Sequence, residues 1–303
     1  MSDILYSKLR LYVPAALDGE NATITSARGA TRTVEMTSPI TDIMLAGMER
    51  YRVQAGITDE EVTFGYGQIK KLEITNVPAN LEDASWSLIQ ELIQAGTFGN
   101  HYSVHDTKSF VIDGKTFYAE VVAINNGNDD ASQWYPSKTV DFICKELYTS
   151  SKFNSSNTNN GGFPSSSLRT YLNNSLYPNL PTDLKDIIIE KSHLYQAGRY
   201  SSGSYSWVSS MVNSSDKLWL PTYYEIYGGG NTYAPGEDYL NNKPYYLSSK
   251  KKNYGGSSSY SEWWLGTPYT MGDKNLWIVR EDGTINNMTA TSLYGTPICF
   301  RIG

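Results

Sequence analysis

Three histidines and two cysteines set narrow limits on the chemistry this 303-residue chain can do. His101 and His105 stand four apart, but Tyr102-Ser103-Val104 between them offers no glutamate base, so the pair is not a helical zinc-protease motif. His193 has no recognisable serine or aspartate partner in sequence. Cys144 and Cys299 cannot build a four-thiolate zinc site, and each sits in an apolar run that reads as core. Gly228-Gly229-Gly230 lacks the Lys-Ser/Thr of a phosphate loop. Asn128, Asp129 and Asp130, and the pair Glu237-Asp238, carry acidic oxygen without calcium-loop spacing and read as solvated turns. Glu225, Glu237, Asp238 and Glu262 are available carboxylates, yet no spacing selects the pair that glycan hydrolysis needs. The reading is a chain with no catalytic residue, no metal and no cofactor.

What the sequence does supply is binding surface. Of 24 tyrosines, only Tyr6, Tyr12, Tyr51 and Tyr66 fall in the first hundred residues, and of seven tryptophans only Trp86 does. Asn, Ser and Gly rise over the same later stretch, a composition shared with antibody paratopes. Stiff amphipathic tyrosine gives contact area at low entropy cost, and exposed rings also stack on sugar faces. The candidate ligand-binding residues are Tyr254, Tyr260, Tyr269, Asn275, Trp277, Asn286, Asn287, Thr289, Thr291 and Tyr294.

The elements that must position them divide near residue 100. Residues 1–100 read as a mostly helical docking or oligomerisation module. Ser38-Pro39 looks like a helix start, followed by Ile40, Ile43, Met44, Gly47, Met48 and Tyr51 at helical spacing. Thr58-Asp59-Glu60-Glu61 fits a capping box, and Trp86, Ile89, Leu92 and Ile93 form a stripe ending at Gly96. Residues 101–303 read as α+β. Asp113-Gly114 and Asp282-Gly283 each sit between β-prone runs and predict hairpins. Val140, Ile143, Cys144 and Leu147 predict a helix over residues 139–148, Ser165 to Leu176 predicts another, and Thr182 caps a third. The segment from Phe153 to Phe163 is a polar loop, the stretch between Pro221 and Trp263 is long and irregular, and Pro297 to Ile302 is a closing strand.

Three blocks carry a resemblance. They are Phe153–Phe163 with Ser167-Leu168-Arg169-Thr170-Tyr171-Leu172-Asn173; Asp216–Pro221 leading to Glu225-Ile226-Tyr227-Gly228; and Trp263–Pro268 with Val279, Asp282-Gly283 and Gly295–Ile302. Together, over about residues 110–303, they resemble an uncharacterised domain family of phages and gut bacteria marked by a WWLRSP-like motif and a GVRPAF-like ending. Here Gly266-Thr267 stands for the usual Arg-Ser, and Thr296 for a typical Val. That motif order looks like the C-type-lectin-like fold of phage tail adhesins and of the variable proteins of diversity-generating retroelements. The resemblance implies a C-type-lectin-like domain with long loops on a small antiparallel sheet, in which Trp263, Trp264, Leu265, Gly283 and Gly295 are scaffold. It implies no enzymatic activity. It further implies a receptor-binding adhesin in a virion tail or surface appendage, with a host bacterial surface glycan or protein as ligand, other tail subunits as partners and a homotrimer as the assembly. Adenine-directed mutagenesis by such a retroelement would start from Asn codons and scatter residues 253–294 toward the Tyr, Ser, Asp, Gly and Thr found there. The alternative is a structural virion or cell-surface protein whose domain only packs against neighbouring subunits.

Charge and hydropathy agree with those classes. Twenty-five Lys and Arg against 31 Asp and Glu give a net charge of −6, which argues against nucleic acid as a partner. No apolar run reaches the ~18 residues of a membrane span, so membrane insertion is not expected. Met1-Ser2-Asp3-Ile4-Leu5 lacks a signal-peptide pattern, so the expected place of synthesis is the host cytoplasm.

Overall fold

The computed structural model describes the strands between residues 6 and 60, and residues 77–125, 138–198, 211–228, 244–255, 257–269 and 272–303. The chain forms two compact units, Met1–Asn76 and Val77–Gly303, so residues 77–100 belong with the second unit and the division lies ahead of residue 100.

The described part of the first unit is strand, not helix. β1 (Tyr6–Tyr12) pairs antiparallel with β4 (Ile40–Ala46). A second sheet runs in the order β3 (Thr31–Glu35), β2 (Asn21–Ser26), β5 (Tyr51–Ala55), β6 (Thr58–Glu60). The helix expected from Ile40 and the capped helix expected from Thr58 are therefore corrected. Beside the helical spacing of Ile40, Ile43 and Met44, the set Thr41, Ile43 and Leu45 alternates with period two, and β-branched Ile40, Thr41 and Ile43 favour the strand.

The first α-helix of the second unit is α1 (Trp86–Ala95), where the Trp86–Ile93 stripe predicts one. Ser85 caps it by accepting from the Leu88 amide at 3.1 Å, and Gly96, at φ 72°, ends it in the left-handed conformation that glycine tolerates. α2 (Phe98–His101) follows. The chain then enters β7 (Thr107–Ile112), β8 (Lys115–Asn125) and β9 (Thr139–Lys152). Asp113 and Gly114 have φ of 50° and 73°, the left-handed pair that a tight hairpin turn demands. β9 corrects the helix expected over residues 139–148. Val140, Phe142, Ile143 and Cys144 are all buried, because β9 is covered on both faces, and a strand of that kind reads as a continuous apolar run.

Beyond the polar loop come α3 (Ser167–Tyr171), which widens into a π-helical turn over Leu172–Leu176, and α4 (Thr182–Lys185). Leu168, Leu172, Leu176 and Leu184 point inward, whereas Pro181 rather than Thr182 occupies the cap of α4. β10 (Ile188–Ile189) precedes a two-stranded ribbon, β11 (Lys191–Gln196) and β12 (Met211–Asp216), which the sequence reading did not foresee. α5 (Tyr223–Tyr227) starts on a capping box between Thr222 and Glu225. The chain ends in β13 (Lys252–Tyr254), β14 (Tyr260–Ser261), β15 (Trp263–Pro268), β16 (Asn275–Val279), β17 (Ile285–Thr289) and β18 (Leu293–Ile302).

Among the described residues these strands build one large sheet in the order β14-β13-β9-β18-β15-β16-β17, with β8 also on β9, β7 on β8 and β10 on β18. Pairing is antiparallel except between β13 and β9 and between β15 and β18. The result is a mixed α/β unit dominated by an antiparallel sheet, with few helices. Trp86 of α1 packs edge-on against Phe110, Phe142 and Phe300 at 6.0–6.4 Å, and so joins the helix to three strands. No helix of the described residues is long and apolar enough to cross a membrane.

Candidate functional site

The residues of the three sequence blocks turn out to be joints between loops. Asn154 donates to the Thr158 carbonyl at 2.7 Å and accepts from the Ser167 amide at 2.9 Å. Asn159, fully buried, donates to the carbonyls of Gly272 (2.6 Å) and Asn275 (2.8 Å) and so fixes the segment between β15 and β16. Arg169 pairs with Asp216 at 2.6 Å, while Asn173 accepts from the amides of Lys217 and Leu218, both at 3.1 Å. Trp219 bridges to Cys299, and the Gly266 amide donates to Pro221 at 2.9 Å. Trp263, Trp264 and Leu265 are fully buried, and the two indoles donate to the carbonyls of Lys250 (3.0 Å) and Ser151 (2.8 Å). Gly295 lies where any Cβ would strike the Leu147 side chain, and Gly283 turns its hairpin at φ 85°. Side chains committed this fully to holding loops have little left to offer a ligand.

The ten candidate binding residues separate into two groups. Asn275, Trp277, Asn287 and Thr289 share one face of the β16–β17 hairpin, as the pairs Asn275↔Thr289 and Trp277↔Asn287 require, whereas Asn286 points to the other face. Trp277 is not a surface residue. It is 5 % exposed, with Tyr269 edge-on at 4.8 Å and Tyr223 at 5.7 Å, so it serves as core, in correction of the expectation. Asn275 spends its amide on Asn287 at 2.7 Å, and Thr289 pairs with Ser292 at 2.9 Å. Thr291 is half-buried nearby.

Of the second group, Tyr254 and Tyr260 lie at the opposite end of the strand order, on β13 and β14, and Tyr294 lies between, on β18. Tyr260 is 48 % exposed and Tyr254 is half-buried. Asn253 stands directly across from Tyr260, and Lys251 places its ammonium 5.5 Å from the Tyr260 ring. Glu262, two residues on, faces Arg280 at 3.7 Å, and half-buried Tyr294 packs edge-on to Trp264 at 5.0 Å. The turn is pinned from within. Asn253 donates to the Ser257 carbonyl at 2.6 Å, the Ser257 amide to the Tyr254 carbonyl at 2.8 Å, and the Ser259 amide to the Ser257 hydroxyl at 3.2 Å. Sequence reading found the tyrosines by composition but missed Lys251, Asn253 and Arg280, which only strand register brings alongside.

It also missed a buried polar cluster. Asp141 and Arg301 are cross-strand partners on β9 and β18, joined by two hydrogen bonds of 2.5 and 2.9 Å. Lys191 reaches Asp141 at 3.1 Å, Glu225 at 2.5 Å and the Tyr245 hydroxyl at 2.6 Å. His193 meets Glu225 at 3.1 Å. All six side chains are buried. Burial alone would raise the Asp141 carboxyl, but Arg301 and then Lys191 outweigh it and hold the group well below the usual carboxylate range. Glu225 is likewise raised by burial and brought down to about 2, chiefly by Lys191. Burial pushes His193 down, so its imidazole is neutral. The only local hints were Thr222-Tyr223-Tyr224-Glu225 as a capping box and the i, i+2 spacing of Lys191 and His193.

His101 is exposed, and His105 pairs with buried Glu120 at 2.9 Å. Asn128, Asp129, Asp130, Glu237 and Asp238 lie outside the described residues. No curated protein and no solved structure matches the chain. A family model described as a domain of unknown function, DUF6273, matches residues 138–303, from the start of β9 to the end of the chain. That match takes in the loop joints, the Trp263-Trp264 strand and the buried cluster, and since it covers more than half of the sequence, the chain belongs to the DUF6273 family.

Proposed function

We propose that the second unit is a binding module for a ligand on a host-cell surface, a phage or prophage tail adhesin of the C-type-lectin-like kind, with the β13–β14 hairpin as its recognition element. The observation that carries the reading is that hairpin itself. Tyr254 and Tyr260 flank a Ser-rich turn whose Ser257, Ser258 and Ser259 are exposed, and three internal hydrogen bonds hold its backbone before any ligand arrives. Preorganised loops lose less entropy on binding, and tyrosine with serine is the pairing that paratopes use. Lys251 and Asn253 stand beside Tyr260, and the Glu262–Arg280 pair follows two residues along the chain, so donors and acceptors of both signs lie near the hairpin. A large antiparallel sheet carrying pinned loops suits such a scaffold, and several copies on one particle would turn weak sites into avidity.

The test is binding of fluorescent full-length protein to a panel of gut bacteria, beside a Tyr254→Ala/Tyr260→Ala variant with an unchanged melting temperature. Strain-selective binding that the variant loses is the expected result. Binding that survives both changes, or no binding to any strain, would leave the assembly role as the better account.

A further inference from the structure

We propose that Lys191 and Glu225 condense to an intramolecular isopeptide bond inside the second unit. The amine of Lys191 is fully buried and lies 2.5 Å from Glu225 Oε1, 2.6 Å from the Tyr245 hydroxyl and 3.1 Å from Asp141 Oδ2. The rings of Trp219 and Tyr245, 5.1 and 4.8 Å from Nζ, wall the amine off. A nucleophile, a carboxyl acceptor and a second carboxylate thus share one buried site.

The two carboxylates are not equivalent, and the difference assigns their roles. Asp141 has both oxygens on the Arg301 guanidinium, so its main cationic partner stays in place when Lys191 loses its charge. Glu225 is held ionised by Lys191 first and then by His193, whose Nε2 lies 3.1 Å away, with the Thr222 amide at 2.8 Å, and it has no guanidinium partner of its own. A proton moving from Nζ to Glu225 Oε1 leaves a neutral amine against a neutral acid. The Nζ lone pair then attacks Glu225 Cδ, forming the C–N bond, while the Thr222 amide stabilises the charge that develops on Oε2 and His193 Nε2 holds Oε1, the oxygen that leaves. Asp141 Oδ2 takes the second Nζ proton as general base and returns it to the departing hydroxyl. The Cδ–Oε1 bond breaks and Oε1 leaves as water. Ammonium plus carboxylate becomes secondary amide plus one water, with no oxidant or cofactor. Two buried charges vanish, while the Asp141–Arg301 pair stays balanced, and relief of that desolvation favours the amide. The bond would tie β11 to the start of α5.

Intact mass of the denatured full-length protein reads the outcome directly. The expected result is a chain one water lighter than its sequence, with a digest in which the Lys191 peptide is joined to the Glu225 peptide. The Asp113-Gly114 and Asp282-Gly283 turns can also lose water as succinimides, so Lys191→Met and Glu225→Ala variants are measured beside the wild type and are expected at full mass. A wild-type chain at full sequence mass, or a water loss that persists in Lys191→Met, would overturn the proposal. Because the wild-type mass and digest decide the matter, a variant that fails to fold does not block the test.

Discussion

Replacing Arg301 with leucine should destabilise the second unit sharply, and by an amount that depends on pH. Arg301 and Asp141 sit opposite each other on β18 and β9, joined at 2.5 and 2.9 Å with both side chains buried. Leucine keeps most of the apolar stem but removes the guanidinium, leaving a buried carboxylate short of its main partner. Breaking one half of a buried pair in this way costs about 3–5 kcal/mol. Lys191, 3.1 Å from Asp141, offsets part of the loss while it remains charged, which places the cost near the lower figure. If its charge is spent in the amide with Glu225, the upper figure applies. For a unit of this size the melting temperature should fall by roughly 6–20 °C.

The pH dependence separates this cause from mere loss of packing. In the wild type the folded Asp141 pKa is depressed, so its contribution is present above the unfolded value of about 3.9 and is lost only as pH falls through the lower folded value. In Arg301→Leu, burial becomes the dominant influence and raises the carboxyl, so the folded state favours the protonated form. The penalty is then full at pH 7 and shrinks as the pH is lowered toward 4. Thermal unfolding of both proteins at intervals between those values measures the gap. Replacing Asp141 with leucine in the same background should recover part of it, since no buried charge is left unpaired. A gap below about 1 kcal/mol at pH 7, or one that stays flat down to pH 4, would refute the claim that the pair carries this energy.

Two further outcomes follow from backbone and burial. Gly162 has φ 58°, and a Cβ there would drive into the Gln196 carbonyl, so Gly162→Ala should cost about 1–3 kcal/mol in thermal unfolding. Gly114→Ala, at φ 73° with open space around it, should cost less. Cys144 and Cys299 are fully buried and burial pushes both thiols up, so a thiol-reactive dye should label neither in the folded protein and both in denaturant. Rapid labelling of the native chain would mean that the β9–β18 pairing opens readily.

The parts of this fold that were legible in the sequence are those decided within a few residues. Asp113-Gly114 and Asp282-Gly283 announced their hairpins because only certain residues accept positive φ at a turn. Ser85, the Trp86–Ile93 stripe and Gly96 marked α1 by the same local logic. β9 was misread because Val140, Ile143, Cys144 and Leu147 fit a helical face, and nothing nearby says that β8 and β18 will close on either side. Trp277 was misplaced for a similar reason, since the rings that bury it, Tyr223 and Tyr269, come from other segments. The Asp141–Arg301 pair is 160 residues apart in sequence, and no spacing rule reaches that far.

Aromatic richness therefore marks one part of the chain without saying which rings face out. What separates them is how each is anchored. Trp263 and Trp264 send their indole N–H groups into neighbouring backbone, and Trp277 is walled by two tyrosines. Tyr260 instead stands on a short strand secured by other residues. Lys252, buried beneath it, donates to the Cys144 carbonyl at 2.5 Å and lies 5.7 Å from the Trp263 ring, while Asn253 ties the turn to itself. With the hairpin held from below and from within, the Tyr254 and Tyr260 side chains contribute little to its closure. A surface built this way tolerates replacement of its contact residues while the joints beneath keep their places, and recognition on such a scaffold can change without refolding it. That independence is why the double alanine variant should melt like the wild type even where it no longer binds.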